Sequence, residues 1–219
     1  MRRLLIRGRR FDEGGRSIWP LARRRERGVA QHRIIPTGEW GAVPAKEAIT
    51  PAGTPHEIIF HHTDGHHPEL DHKPTESLDE AKAFARAIQN DHMHRPPPKG
   101  PFIDSGHNFL VTRSGHILEG RHGSLRAIEG GRMVVSAHCL GHNTNPGVEH
   151  EHKGGEQMTP AQREASVWLF AHICRKTGIK PSAIHPHREF NPTECPGVLG
   201  SGLDAFKRDV AAKLAEGPD

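Results

Sequence analysis

The chain is poor in the features that would assign it to several large classes. Hydrophobic residues make up only 34% of its 219 positions. No stretch approaches the roughly 18 consecutive apolar residues that a membrane span requires. Cysteine occurs three times, at Cys139, Cys174 and Cys195. An odd count does not build a disulfide framework; it fits free thiols, one of them a candidate ligand. The Cys-x-x-Cys pairs on which structural zinc sites usually draw are missing. Residues 1–6 are basic around a three-residue apolar stretch, so no secretory signal is visible, and synthesis in the cytoplasm is expected. There is no internal repeat.

What charge there is lies unevenly. The net charge is +4, yet residues 1–30 alone hold ten Arg against three acids, a balance of +7 that leaves −3 for residues 31–219. The basicity belongs to an arm and not to the domain, which argues against a nucleic-acid surface built into the fold. The expected organisation is a basic, disordered arm over 1–30, one α/β domain over 31–215 and a short tail over 216–219. The arm reads either as a plain tail or as a patch for an anionic polymer such as a cell-wall surface.

Along the chain, Ile34–Pro44 reads as a short extended piece ending in a Trp-Gly-Ala turn, since Pro36 and Pro44 discourage a helix. Residues 57–63, EIIFHHT, carry the continuous apolar run of a strand buried on both faces, with His61 and His62 at its end pointing to opposite sides. Ser77 and Glu80 form a capping box ahead of a helix whose stripe is Leu78, Ala81, Phe84, Ala85 and Ile88, ended by Pro96, Pro97 and Pro98. Asn108–Thr112 and His116–Glu119 make a hairpin about Ser114-Gly115. Gly120–Gly131 reads as a Gly-rich loop and Met133–Ser136 as a brief strand. Residues 137–146, AHCLGHNTNP, suit a substrate-facing turn, and in 148–151 the alternation puts Glu149 and Glu151 on one face. Thr159 caps a helix that runs to Gly178 with Cys174 in its core, and Leu203, Phe206, Val210 and Leu214 mark a last amphipathic helix.

Histidine is abundant, at 19 residues. His66, His67, His72, His92 and His94 stand in polar, loop-like sequence and are expected at the surface. His187 and Cys195 differ: they lie eight apart in a proline-stiffened loop, PHREFNPTECPG, and look like half of a metal site. His61 at a strand end is the best third ligand. Two imidazoles and a thiolate, with water in a fourth position, is a catalytic zinc arrangement. On spacing alone a packed loop with a buried thiol remains the alternative.

Four motifs in order, IIFHHT, GHNFLVTRSGHILEGR, SAHCLGHNTNPGVEHE and PHREFNPTECPG, resemble the type 2 N-acetylmuramoyl-L-alanine amidases, whose fold is shared with phage amidases and peptidoglycan recognition proteins. The likeness runs from about Ile34 to Leu214. It implies a mixed central β-sheet flanked by helices, zinc held by His61, His187 and Cys195, and a groove for glycan and stem peptide. The implied reaction is hydrolysis of the amide joining N-acetylmuramic acid to L-alanine. Retention of Cys195 matters, because recognition proteins lacking a ligand bind without cutting. By its position Glu149 matches the general base of muropeptide amidases. His107 stands where relatives place a tyrosine that orients the water or the oxyanion. Thr193 takes the place of a lysine that stabilises the transition state, and a hydroxyl brings no charge. His138, Asn143, Trp40 and Arg121 match groove positions loosely.

The expected function is therefore a zinc amidase acting on peptidoglycan, released to the wall as an endolysin or recycling wall fragments in the cytoplasm. A non-catalytic peptidoglycan-binding module is the main alternative. A metal-buffering histidine-rich protein is a third.

Overall fold

The computed structural model describes residues 32–66 and 73–217. The basic arm, His67 and His72 lie outside the described residues, as do the last two residues of the tail. From His32 onward the described chain belongs to one unit, a mixed sheet flanked by helices. None of its helices is long and apolar enough to cross a membrane.

The run IIFHH forms β2 (Ile58–His62), and Ile58, Ile59 and Phe60 are at most 1% exposed. Around it the described residues form six strands in the order β1-β4-β3-β5-β2-β6, with β1 at Ile34–Ile35, β3 at Phe109–Val111, β4 at Ile117–Glu119, β5 at Gly147–His150 and β6 at Ile184–Pro186. β3 and β4 are antiparallel, as the hairpin signal requires, and every other neighbouring pair is parallel.

Side-chain alternation then divides the core in two. On one face Phe60, Phe109, Val111, Ile117 and Val148 pack against α4 (Pro160–Thr177) and α5 (Leu203–Ala215), which bury Leu169, Phe170, Ile173, Phe206 and Val210. Each such side chain contributes about 1.5–3 kcal/mol on full burial. On the other face Ile35, Leu110 and Leu118 meet Ala81, Phe84 and Ala85 of α2 (Leu78–His94) and Trp40. The register places Leu110 beside Glu149 and Glu149 beside His61. The apolar stripe of α2 thus stops at β3, and the next positions on this face, on β5 and β2, are polar.

The helix ends follow their local signals. The Ser77 side chain accepts from the Glu80 amide at 3.3 Å, and Glu80 Oε2 in turn accepts from the Ser77 amide at 2.9 Å. Thr159 caps α4 through the Gln162 amide at 3.0 Å, and Gly178 closes it at φ +77°. Cys174 is 2% exposed, in the core.

Three local expectations are corrected. Thr37–Trp40 is a helical turn, α1, because Pro36 sits at its N-cap, where a missing N–H costs nothing, and Gly41 ends it. Ser124–Glu129 is a helix, α3, because the glycines of this stretch flank it: Gly123, at φ +82°, precedes it and Gly130 follows. Met133–Ser136 is not a strand of the sheet; Val134 makes a single bridge with Pro51.

Candidate metal centre

Three neighbouring parallel strands, β5, β2 and β6, end on the same side of the sheet, and open parallel sheets bind ligands at such carboxyl ends. His61 sits near the end of β2 and His187 directly follows β6. Cys195 reaches the same place because its loop folds back: the Arg188 amide donates to the Cys195 carbonyl at 2.9 Å and the Arg188 guanidinium to the Gly197 carbonyl at 3.0 Å. One ligand atom from each of His61, His187 and Cys195 lies within 4.8 Å of the others, the one such group of His, Cys, Asp or Glu among the described residues.

The surroundings of these donors suit a cation. His61 Nδ1 is 3.6 Å from Cys195 Sγ, and its Nε2 is 2.9 Å from His138 Nδ1. His187 Nε2 is 3.1 Å from Asn191 Oδ1. Burial pushes His61 well below the usual imidazole range, lowers His187 and takes His138 to about 4. All three rings are neutral near pH 7, the form that coordinates. Burial also pushes the Cys195 thiol up to about 12, so a bound cation would have to displace its proton. Two neutral imidazoles and a sulfur fit a borderline-soft divalent cation.

Glu149 stands beside this group on the same face as His61. Its side chain is 15% exposed, while His107, with Nδ1 3.1 Å from Glu149 Oε2, is 2% exposed and lies behind it. The approach is within ion-pairing range but off the line of a good hydrogen bond. Burial pushes the Glu149 carboxyl up, but His107, His92 and His61 together outweigh it; the group is held well below the usual carboxylate range. His107 owes its seat to Gly120, where an added Cβ would lie 2.4 Å from the ring. Thr193 accepts the Cys195 amide at 3.2 Å through Oγ1. Its hydroxyl oxygen is engaged in shaping the cysteine loop.

Residues 51–198 match the family model described as N-acetylmuramoyl-L-alanine amidase. That span holds every residue of the cluster. The chain belongs to this amidase family. Similar relatives include peptidoglycan-recognition protein SC2 of Drosophila melanogaster, 26% identical over 168 residues that cover 75% of this chain and 80% of the relative. Protein SC1a of the same organism is 25% identical over 169 residues with the same coverage. Among solved structures, peptidoglycan recognition protein LE in complex with tracheal cytotoxin has a TM-score of 0.64 at 24% identity, covering 78% of this chain and 92% of the other. Drosophila PGRP-LB has a TM-score of 0.63 at 23% identity, covering 80% and 94%. These structures share the fold of the amidase-family chain.

Other expected positions fall elsewhere in the amidase domain. Trp40 is 1% exposed and donates from Nε1 to the Glu119 carbonyl, a packing role. Arg121 is buried, with Nε donating to the Ser105 carbonyl. Asn143 braces its own loop by accepting the Cys139 amide at Oδ1. Glu149 and Glu151 share no site: Glu151 lies past β5 and accepts from Thr75, Arg113 and His66. The surface reading is corrected for His66 and His92, which are 5% and 6% exposed, while His94 is exposed as expected; each buried ring finds a polar partner, which makes burial affordable. Sequence reasoning missed Asn191. The four-residue spacing in His187-Arg-Glu-Phe-Asn191 was the available signal.

Proposed function

We propose that this amidase-family protein hydrolyses the amide bond between N-acetylmuramic acid and L-alanine in peptidoglycan, using zinc held by His61, His187 and Cys195. The observation that supports this reading is the convergence of those three donors within 4.8 Å beside an ionised carboxylate. When bound, zinc supplies Lewis acidity toward the amide carbonyl and lowers the pKa of water to about 7. Glu149 is the general base: ionised and part-exposed, it takes a proton from the attacking water and delivers it to the departing L-alanine nitrogen. His107, with Nδ1 3.1 Å from Glu149 Oε2, backs the carboxylate on its buried side. With Thr193 bound to the Cys195 amide, that hydroxyl positions the loop.

The second reading, binding without cutting, draws support from relatives named as recognition proteins and from neighbours solved with tracheal cytotoxin. In both readings the partner is a muropeptide. The two separate on digestion of purified sacculi. The zinc-loaded protein is expected to release free stem peptides. Cys195→Ala is expected to lose both zinc and release, and Glu149→Gln to keep zinc while losing about 10²–10⁴-fold in turnover. Release by a zinc-free preparation would overturn the metal reading, and normal turnover in Glu149→Gln would move the base elsewhere. Endolysin and wall-recycling roles both follow from this activity. A contact between the basic arm and anionic wall polymer is tested by deleting residues 1–30, which should weaken salt-sensitive sacculus binding.

A further inference from the structure

A metal-binding imidazole can present either nitrogen, and the partner of the other nitrogen decides which. Both rings at this centre have such partners, and both partners are themselves fixed by backbone groups whose polarity cannot change.

Around His61 the chain of bonds starts at the Asn145 carbonyl, which can only accept. His138 Nε2 lies 2.9 Å from that oxygen and must carry the proton. In the neutral ring Nδ1 is then an acceptor, so the proton of the 2.9 Å contact with His61 belongs to His61 Nε2. The lone pair of His61 is left on Nδ1, the atom 3.6 Å from Cys195 Sγ.

Around His187 the anchor is Asn191. Its Oδ1 accepts the Leu140 amide at 3.1 Å, and its Nδ2 donates to the Phe190 carbonyl at 2.9 Å. A backbone donor on one side and a backbone acceptor on the other exclude the flipped amide. His187 Nε2, 3.1 Å from Oδ1, must therefore be the donor, and its lone pair also falls on Nδ1.

We propose that His138 and Asn191 are positioning residues that lock His61 and His187 as Nε2–H tautomers, so that both offer Nδ1 to the metal. The assignment rests on the reading of this group as a metal centre. One loop bears on both locks, since His138 belongs to residues 137–146 and Asn191 is held by Leu140 of the same loop. A third observation fits: Gly147 sits in β5 where a Cβ would lie 2.3 Å from the His138 ring. Glycine there leaves room for the lock.

The test uses the full chain loaded with zinc. Side-chain ¹⁵N–¹H correlation spectra of the wild type should show His61 and His187 with protons on Nε2 and metal-shifted Nδ1. In chelator competition, Asn191→Leu and His138→Ala should each weaken zinc binding about 10- to 100-fold. Asn191→Asp, which keeps the acceptor, should restore most of it, and Gly147→Ala should resemble His138→Ala. Protons on Nδ1 in the wild type overturn the proposal whether or not any variant folds. So do wild-type zinc affinity in Asn191→Leu and equal losses in the Leu and Asp variants. A wild type that takes up no zinc removes the metal reading itself and this proposal with it.

Discussion

His61 and His62 are consecutive on β2, yet they enter histidine clusters of opposite character. On the His61 side, Nε2 of His61 and of His187 are each bonded to a fixed partner, and one ligand atom from each of His61, His187 and Cys195 lies within 4.8 Å of the others with no acid in the group. On the His62 side, His62 Nδ1 meets His152 Nδ1 at 3.1 Å and His152 Nε2 meets the Glu156 carbonyl at 2.7 Å. His66 is bonded at both nitrogens, to Glu151 at 3.0 Å and to Glu156 at 3.0 Å. Every ring nitrogen of His66 and His152 is thus taken up by a polar group within residues 62–66 or 151–157. The difference teaches that unspent lone pairs, and not the number of histidines, mark a cluster able to hold a ligand.

The sharpest way to break this comparison is to delete a donor from each side. Cys195→Ala should abolish stoichiometric zinc, whereas His152→Asn should still bind one zinc per folded chain by elemental analysis. Loss of zinc in His152→Asn at unchanged fold would erase the distinction. Next in size is Glu151, fully buried and accepting from the Thr75 amide, the Thr75 hydroxyl, the Arg113 amide and His66. Glu151→Ala leaves those donors buried without an acceptor, and urea unfolding should show a loss of about 3–5 kcal/mol. A loss under 1 kcal/mol would mean that water readily replaces the carboxylate.

A smaller effect concerns pH. His150 is stacked on Phe60 with ring centroids 4.1 Å apart, and burial takes it down to about 3; His92, also by burial, goes to about 4. Above pH 6.5, the ordinary value, neither folded nor unfolded chains protonate these rings. Below it only the unfolded chain takes up the protons until the folded values are reached. Stability therefore falls with falling pH, on the order of 1 kcal/mol per pH unit for each ring. Zinc-free protein should show a lower urea midpoint at pH 5 than at pH 7, and His150→Phe should flatten that slope. An unchanged slope would point to other groups. Smallest is Thr193→Ala, which removes one hydrogen bond to the Cys195 amide and should cost about 1 kcal/mol with a modest loss of zinc affinity. A loss of turnover by orders of magnitude with zinc retained would restore Thr193 as a group acting on substrate.

Much of the fold was legible because its signals are local. The apolar run of β2, the Ser77–Glu80 box, the Thr159 cap and the stripe of α5 each lie within a few residues of what they specify. Elements read too simply, α1 and α3, were those where proline and glycine flank a short helix and do not interrupt it.

The sequence by itself determined the residue types of the candidate centre: two imidazoles and a thiol, with a carboxylate two residues past a strand-opening glycine. Only the tertiary structure decided which histidines keep a free lone pair. His138 lies 77 positions from His61, and Asn191 lies 51 from the Leu140 amide that orients it. A ring nitrogen is spent or spared according to the polar group that happens to face it. That group arrives only when the strands are paired and the loops at their ends have closed.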